Sequence, residues 1–255
     1  MYNQTRGHWE ENRAAQSEQR RVVDKQNSCL PSLRLLRFLV AERGREVPRP
    51  RLRGQASDRS PAMLQVGHYL FKRADANHEF EQIHRLNYRT FVEEIPQHAP
   101  SDTGRLVDKF HHKNTYFIVV RDEQVVGMVS VHGQTPFSVA GRRPDPEILE
   151  RPGCRPLEVR LLAIEPQERS GNVLIGLLWM ALEHARNGGF TDVYISGVAD
   201  RVEMYRRIGF EPLGPAVSDG TASFVPMKVS FPLEAKVQKL IDLWTSRMDR
   251  TAGKC

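Results

Sequence analysis

The residues best suited to chemistry fall in three short stretches of the 255-residue chain. In the first, LEVRLLAIEP runs directly into QERSGNVLIGLLWMALEHA. An extended run feeding a helix leaves several backbone N–H groups unpaired at the helix start, where they and the helix dipole can receive phosphate charge. Arg169 adds a cationic donor, Ser170 a small hydroxyl, and Gly171 permits close approach. An ordinary capped helix with an exposed arginine fits the same stretch. In the second, GVADRVEMYRRIGFEPLG sets Tyr205 at the end of a short helix, ahead of a glycine turn. A phenol with an ordinary pKa of ~10 is better suited to protonating a leaving thiolate than to acting as a base. A hydrogen-bonded core tyrosine is the alternative. In the third, Glu158 and Arg160 stand two apart and share a strand face. The carboxylate could take a proton from an attacking amine, directly or through water. The pair could hold a charged acceptor, or simply form a surface ion pair.

Other reactive side chains carry less. Cys29, Cys154 and Cys255 have neither metal-ligand nor paired-disulfide spacing, which favours a reducing, cytoplasmic setting. Cys154 has no Cys–His–acid arrangement around it in sequence. His111 and His112, with Asp108 upstream, lack a diagnostic ligand spacing, so no metal is expected. His132 falls in a hairpin and could line a cleft or sit half-buried as a polar residue.

The elements that must position these groups begin near residue 63. GHYLFKRA reads as a first strand, and HEFEQIHRLNYRTFVEE as a helix with Phe80, Ile83, Leu86 or Asn87, and Phe91 on one side. TYFIVVRD and QVVGMVSVHG form a hairpin across Asp122–Glu123. A long loop follows, with a short helical turn around Ile148, and leads to LEVRLLAIEP. The next helix starts near Asn172, buries Leu174, Leu177, Leu178, Ala181 and Leu182, and ends at Gly188–Gly189. TDVYISGV, FEPLG and ASFVPMKVSF complete the strands. The order β-α-β-β-loop-β-α-β-α-β-β predicts an α/β fold with a mixed, α+β-like sheet covered by helices.

Three regions follow. Residues 1–62 read as a basic, largely disordered leader with a possible short helix around Leu33–Leu39, residues 63–230 as the folded domain, and residues 231–255 as a terminal amphipathic helix and tail. Leu233, Val237, Ile241, Trp244 and Met248 make one apolar face on that helix, which would pack on the domain or serve a homodimer. The formal charge of +6 belongs to the leader, which holds 13 Lys and Arg against 7 Asp and Glu in residues 1–60. The remaining 195 residues hold 24 of each, so the domain has no net field to gather nucleic acid. No stretch reaches the ~20 apolar residues of a transmembrane segment, and the start has no apolar run of the kind a secretory signal needs.

This segment order, with LLAIEPQERSGNVLIGLLWMALEHA, GFTDVYIS and MYRRIGFEPLG in sequence, resembles the GNAT acyltransferase superfamily over roughly residues 66–230. The resemblance implies an acyl-CoA or acyl-carrier-protein (acyl-ACP) thioester as donor substrate, with no tightly bound cofactor. It implies that Leu162, Ala163 and Ile164 line pantetheine. It places Arg169, Ser170, Gly171, Asn172, Val173 and Leu174 around phosphate, and makes Tyr205 the acid for the departing sulfur. The phosphate loop departs from the family pattern, because Ser170, Asn172 and Leu174 stand where small residues are usual. That points to a divergent donor site, or to a domain that has lost catalysis. IHRLNYRTFVEE, VDKFHHKNTYFIVVRDEQVVGMVSV and LEVRLLAI further resemble acyl-homoserine lactone synthases and N-acyl amino acid synthases. This second resemblance implies that Arg89 and Phe91 help form the substrate cleft, beside Glu158. His132 and Arg160 complete the substrate-binding set.

The resulting expectation is N-acylation of a small-molecule amine, such as an amino acid, with acyl carrier protein as a candidate partner. A non-catalytic binding module on the same scaffold and an acetyltransferase acting on a protein amine are the alternatives.

Overall fold

A computed structural model describes residues 63–252, except Pro96, Pro144, Ser170, Gly220 and Thr221. The expectations for the leader, Cys29 and Cys255 lie outside the described residues. Strands β1 (Leu64–Val66) and β2 (Tyr69–Arg73) form a tight hairpin, so the strand read from GHYLFKRA is β2 and a short strand precedes it. Gly67, at φ +57°, supplies the left-handed turn between them. Helix α1 (Asn77–Tyr88) begins where Glu79 reaches back to accept the backbone N–H groups of Asp75 and Ala76. It continues into a wider π-helical turn over Arg89–Glu94.

Strands β3 (Thr115–Arg121) and β4 (Gln124–His132) pair around Asp122 and Glu123, both at positive φ, as a two-residue hairpin turn demands. Strand β5 (Pro156–Ile164) leads to helix α2 (Gly171–Asn187). Strand β6 (Asp192–Val198) and helix α3 (Val202–Arg207) follow. The FEPLG stretch shrinks to the two-residue strand β7 (Glu211–Pro212), because Pro212 cannot extend a ladder. Strands β8 (Val217–Asp219) and β9 (Ala222–Ser230) precede helix α4 (Ala235–Ala252).

The sheet runs β1-β2-β3-β4-β5-β6-β9-β7, with β8 also on β9, and only β5–β6 is parallel. Each face carries a core. On one, Val173, Leu177, Met180 and Ala185 of α2 press on Phe71, Phe117, Val129 and Val131. Gly176 lets α2 sit directly on β2, since a Cβ there would lie 2.1 Å from the Phe71 ring. On the other face, Ile83 and Leu86 of α1 cover Tyr116, Ile118 and Met128. Fully burying each such Leu or Ile is worth ~1.5–3 kcal/mol. The period of α2 predicts Leu178 and Leu182 in the core. They are only partly buried, and both line a cavity instead.

Val237 of α4 is buried against Gly209 and Val229. Gly209 sits at φ +96° with so little room that a Cβ would come within 2.7 Å of Val237. No described helix is long and apolar enough to cross a membrane.

Candidate active site

Strands β5 and β6 pair over three positions only, Pro156↔Asp192, Leu157↔Val193 and Glu158↔Tyr194. Beyond Glu158, β5 has no registered partner on its β6 side. A bulge causes the divergence. Ser130 faces Arg160 while Met128 faces Ala163, so Leu161 and Leu162 oppose Val129 alone. Leu161 takes φ +44°, which costs a non-glycine residue ~1–3 kcal/mol.

A cavity of about 2100 Å³ fills the space that opens. Its walls come from both faces of the sheet. One limb lies on the α1 side, among Phe110, Phe137, Glu158, Arg160, Ser196 and Phe224. The other lies on the α2 side, among Leu178, Leu182, Val193, Ile195, Tyr205 and Phe210. They communicate where β5 and β6 stop pairing.

Glu158 is 1% exposed. It accepts the backbone N–H groups of Ser138 and Val139, each at 2.8 Å, and the Ser138 hydroxyl. His132 Nε2 lies 3.0 Å away, outside good hydrogen-bond geometry. Burial pushes the Glu158 carboxyl up, but His132 and the Ser138 donors outweigh it and hold the group below the usual carboxylate range. Such a carboxylate stays ionised and takes up protons poorly. His132 is stacked on Phe137, with ring centroids 5.4 Å apart, and tilted against Phe110.

Arg160 does not pair with Glu158, although the two share a face. Its Nη2 donates to Asp108 at 2.8 Å, and its guanidinium lies over the Phe110 ring. Asp108 in turn accepts from Asn114 at 2.7 Å. The metal-type cluster considered around Asp108 is therefore an anchor for Arg160, while His111 turns to the Tyr116 hydroxyl at 3.1 Å. Burial pushes the Cys154 thiol up, and the neighbouring Asp192 carboxylate adds to this, which leaves it a poor nucleophile.

At the β5–α2 junction, Arg169 donates from Nε to the Ile164 carbonyl at 3.0 Å and from Nη1 to Glu94 at 2.6 Å, with a second bond from Nη2. Arg89 pairs with Glu165. The π-helical turn thus grips the junction at both ends, and nothing in the sequence around Glu94 signalled that. Phe91 lines the cavity and packs near Leu161.

Leu162 and Ile164 also line the cavity, whereas the Ala163 side chain turns into the α1-side core. At the start of α2, Gly171 is buried, Asn172 is exposed, Val173 packs on Gly127 and Leu174 faces the cavity. Of the bulkier residues at the phosphate loop, Leu174 turns to the cavity and Asn172 to solvent. Ser170 lies outside the described residues.

Tyr205 borders the cavity and is half-buried, its ring resting on Gly197 and edge-on to Phe210. Burial pushes its phenol up to about 12. It therefore keeps its proton at any physiological pH, as a general acid must. Ser138, Arg142 and Phe224 were missed by sequence reasoning. They reach the cleft from the long loop and from β9, and no local pattern marks them.

Residues 82–229 match the family model described as N-acyl amino acid synthase FeeM. A search of curated proteins finds no match. Among solved structures, the chain resembles a CoA-dependent acyl-homoserine lactone synthase, BjaI, with SAM and isopentyl-CoA, at TM-score 0.55 and 19% identity over 68% of this chain and 82% of that one. It also resembles the AHL synthase LasI, at TM-score 0.56 and 15% identity over 68% of this chain and 94% of that one. The structure of FeeM, an N-acyl amino acid synthase from uncultured soil microbes, aligns at TM-score 0.51 and 17% identity over 73% of this chain and 98% of that one. At these identities the structures speak for the fold, and the mixed α/β architecture expected from the strand order is the one found. The family match extends over more than half of the chain, and the chain is therefore an N-acyltransferase belonging to the FeeM family of N-acyl amino acid synthases.

Proposed function

We propose that this enzyme moves an acyl chain longer than acetyl from a CoA or carrier-protein thioester to the amine of a small molecule, an amino acid being the preferred class. The observation that carries the reading is the two-limbed cavity opening through the sheet. The α2-side limb is walled by Leu178, Leu182, Val193, Ile195 and Phe210. Such a wall suits an alkyl chain, where each buried CH₂ contributes ~0.8 kcal/mol. The α1-side limb is aromatic and charged, which suits a polar acceptor.

The pantetheine arm would enter along the unpaired side of β5, beside Leu162 and Ile164, with phosphate near the start of α2. A neutral amine in the α1-side limb attacks the thioester carbonyl, forming the C–N bond. Backbone N–H groups on the open side of β5 stabilise the oxyanion. Collapse breaks the C–S bond, Tyr205 gives its proton to the thiolate, and the amine's surplus proton leaves through water. Glu158 acts here as a fixed anion that shapes the acceptor limb, since its donors leave it little basicity. Arg169 holds the junction in shape, with Glu94 as its counter-ion.

Donor profiling tests this reading. Acetyl-CoA, a long acyl-CoA and the matching acyl-ACP would each be incubated with pooled standard amino acids, and products identified by mass spectrometry. Long-chain N-acyl amino acids are expected from at least one carrier. No N-acylated product from any donor, alongside measurable CoA binding, would favour a non-catalytic binding module instead.

A further inference from the structure

The family match ends at residue 229, and helix α4 (Ala235–Ala252) comes after it. Val237 and Ile241, one turn apart on that helix, nevertheless both line the cavity. The strand register shows which part of the cavity they close.

Val237 and Val229 both crowd the notch at Gly209, where the chain turns out of α3. Val229 stands directly opposite Val193 in the β6–β9 ladder, and opposite residues of a ladder share a face. Val193 lines the α2-side limb and lies in the short stretch where β5 and β6 still pair. Val237 therefore sits over the paired end of that limb. The other end lies at the start of α2, where Val173 packs on Gly127 close to Ile164. Helix α2 runs back from there, and the chain after it returns to the beginning of β5, with the Thr191 N–H on the Arg155 carbonyl at 2.9 Å. Leu182, toward the end of α2, lines the limb on the same side as Val237.

An acyl chain whose carrier arm enters beside Leu162 and Ile164 thus runs from the gap toward the paired end, where α4 stands across its path. Val237 is 3% exposed and locked in the Gly209 notch, so it docks the helix. Ile241 is half-buried and can change size without undocking it.

We infer that α4 is the end wall of the acyl limb, and that Ile241 is the specificity-determining residue for acyl-chain length. The inference rests on the reading above that the acyl chain occupies the α2-side limb. It adds the residue that limits the chain, on an element outside the family match.

The test measures kcat/KM for donors of four to eighteen carbons with one fixed acceptor, using the parent enzyme, Ile241→Trp, Ile241→Ala and Leu243→Ala. Leu243 is exposed on the same helix, so its variant reports any disturbance of α4 itself. In Ile241→Trp, the preference for the parent's best donor over the four-carbon donor should fall at least ~10-fold, roughly the effect of two lost methylenes. Ile241→Ala should move the optimum to longer chains, and Leu243→Ala should keep the parent profile. If Ile241→Trp does not fold, the Ile241→Ala optimum decides alone. An unshifted profile in the folded Ile241 variants, or an equal shift in Leu243→Ala, overturns the role of Ile241 and leaves the broader reading standing. A parent enzyme that acylates no amine, or that prefers acetyl, sinks the broader reading and this one with it.

Discussion

Two residues in the cleft have opposite proton chemistry, and each can be probed alone. Tyr205 holds its proton because burial raises the phenol, with Arg201 pulling weakly the other way. Replacing it with Phe keeps the ring on Gly197 and removes only the acid. In single-turnover acyl transfer by Tyr205→Phe, the chemical rate should fall ~10²-fold, about 3 kcal/mol of barrier, while donor affinity stays near the parent value. An unchanged rate would return Tyr205 to a packing role. Glu158 is the reverse case, an anion kept below the ordinary carboxylate range. Its stabilising contribution is complete above the unfolded value of ~4.3 and is lost as the pH falls through the lower folded value. Glu158→Gln turns an amide toward donors that need an acceptor, so it should cost about 3 kcal/mol at neutral pH. The difference from the parent should shrink in acid. Denaturant titrations at several pH values would show this, and a pH-independent difference would mean that the carboxylate is not ionised in the fold.

At the scale of elements, the decisive arrangement is the π-helical turn gripping the β5–α2 junction through Arg89–Glu165 and Glu94–Arg169. Arg169 also ties off the last carbonyl of β5, so its loss uncaps a strand end as well as an ion pair. Arg169→Met should destabilise the protein by about 2 kcal/mol, a value held down by the partial exposure of Glu94. A double-mutant cycle with Glu94→Gln should return a coupling above ~0.5 kcal/mol. Additive losses would show that the pair is incidental. Much of this level was readable beforehand. The strand–helix junction, the hairpin at Asp122–Glu123 and the helix around Tyr205 follow from local periodicity and turn chemistry. The bulge did not, because Leu161 is not a residue whose type announces positive φ. The outward turn of Leu178 and Leu182 was hidden for another reason: a lining that suits an alkyl chain has the same composition as a core. Arg142 and Glu94 were out of reach because their partners, Phe224 and Arg169, lie 82 and 75 positions away along the chain.

Across the whole molecule, the cavity size and the apolar wall predict how the donor could be re-specified. Leu182→Trp fills the α2-side limb with an indole while leaving β5 and β6 untouched. The ratio of kcat/KM for a twelve-carbon over a four-carbon donor should drop at least ~10-fold, roughly the value of two lost methylenes. An unaltered ratio would place the acyl chain elsewhere. The same view gives the three-rung parallel ladder between β5 and β6 a mechanical meaning. On one side, β1 to β5 form a continuous antiparallel slab, and on the other β6, β9 and β7 form a second. The parallel ladder joins the slabs over Pro156–Glu158 and Asp192–Tyr194, with one more backbone bond from the Thr191 N–H to the Arg155 carbonyl at 2.9 Å, so thermal opening should concentrate along that seam. In native-state hydrogen exchange, the amides shared by β5 and β6 should lose protection before those of Phe117 and Met128 in the β3–β4 ladder. A seam of this kind lets the gap widen around a thioester and close again behind it, with neither slab needing to break a rung of its own.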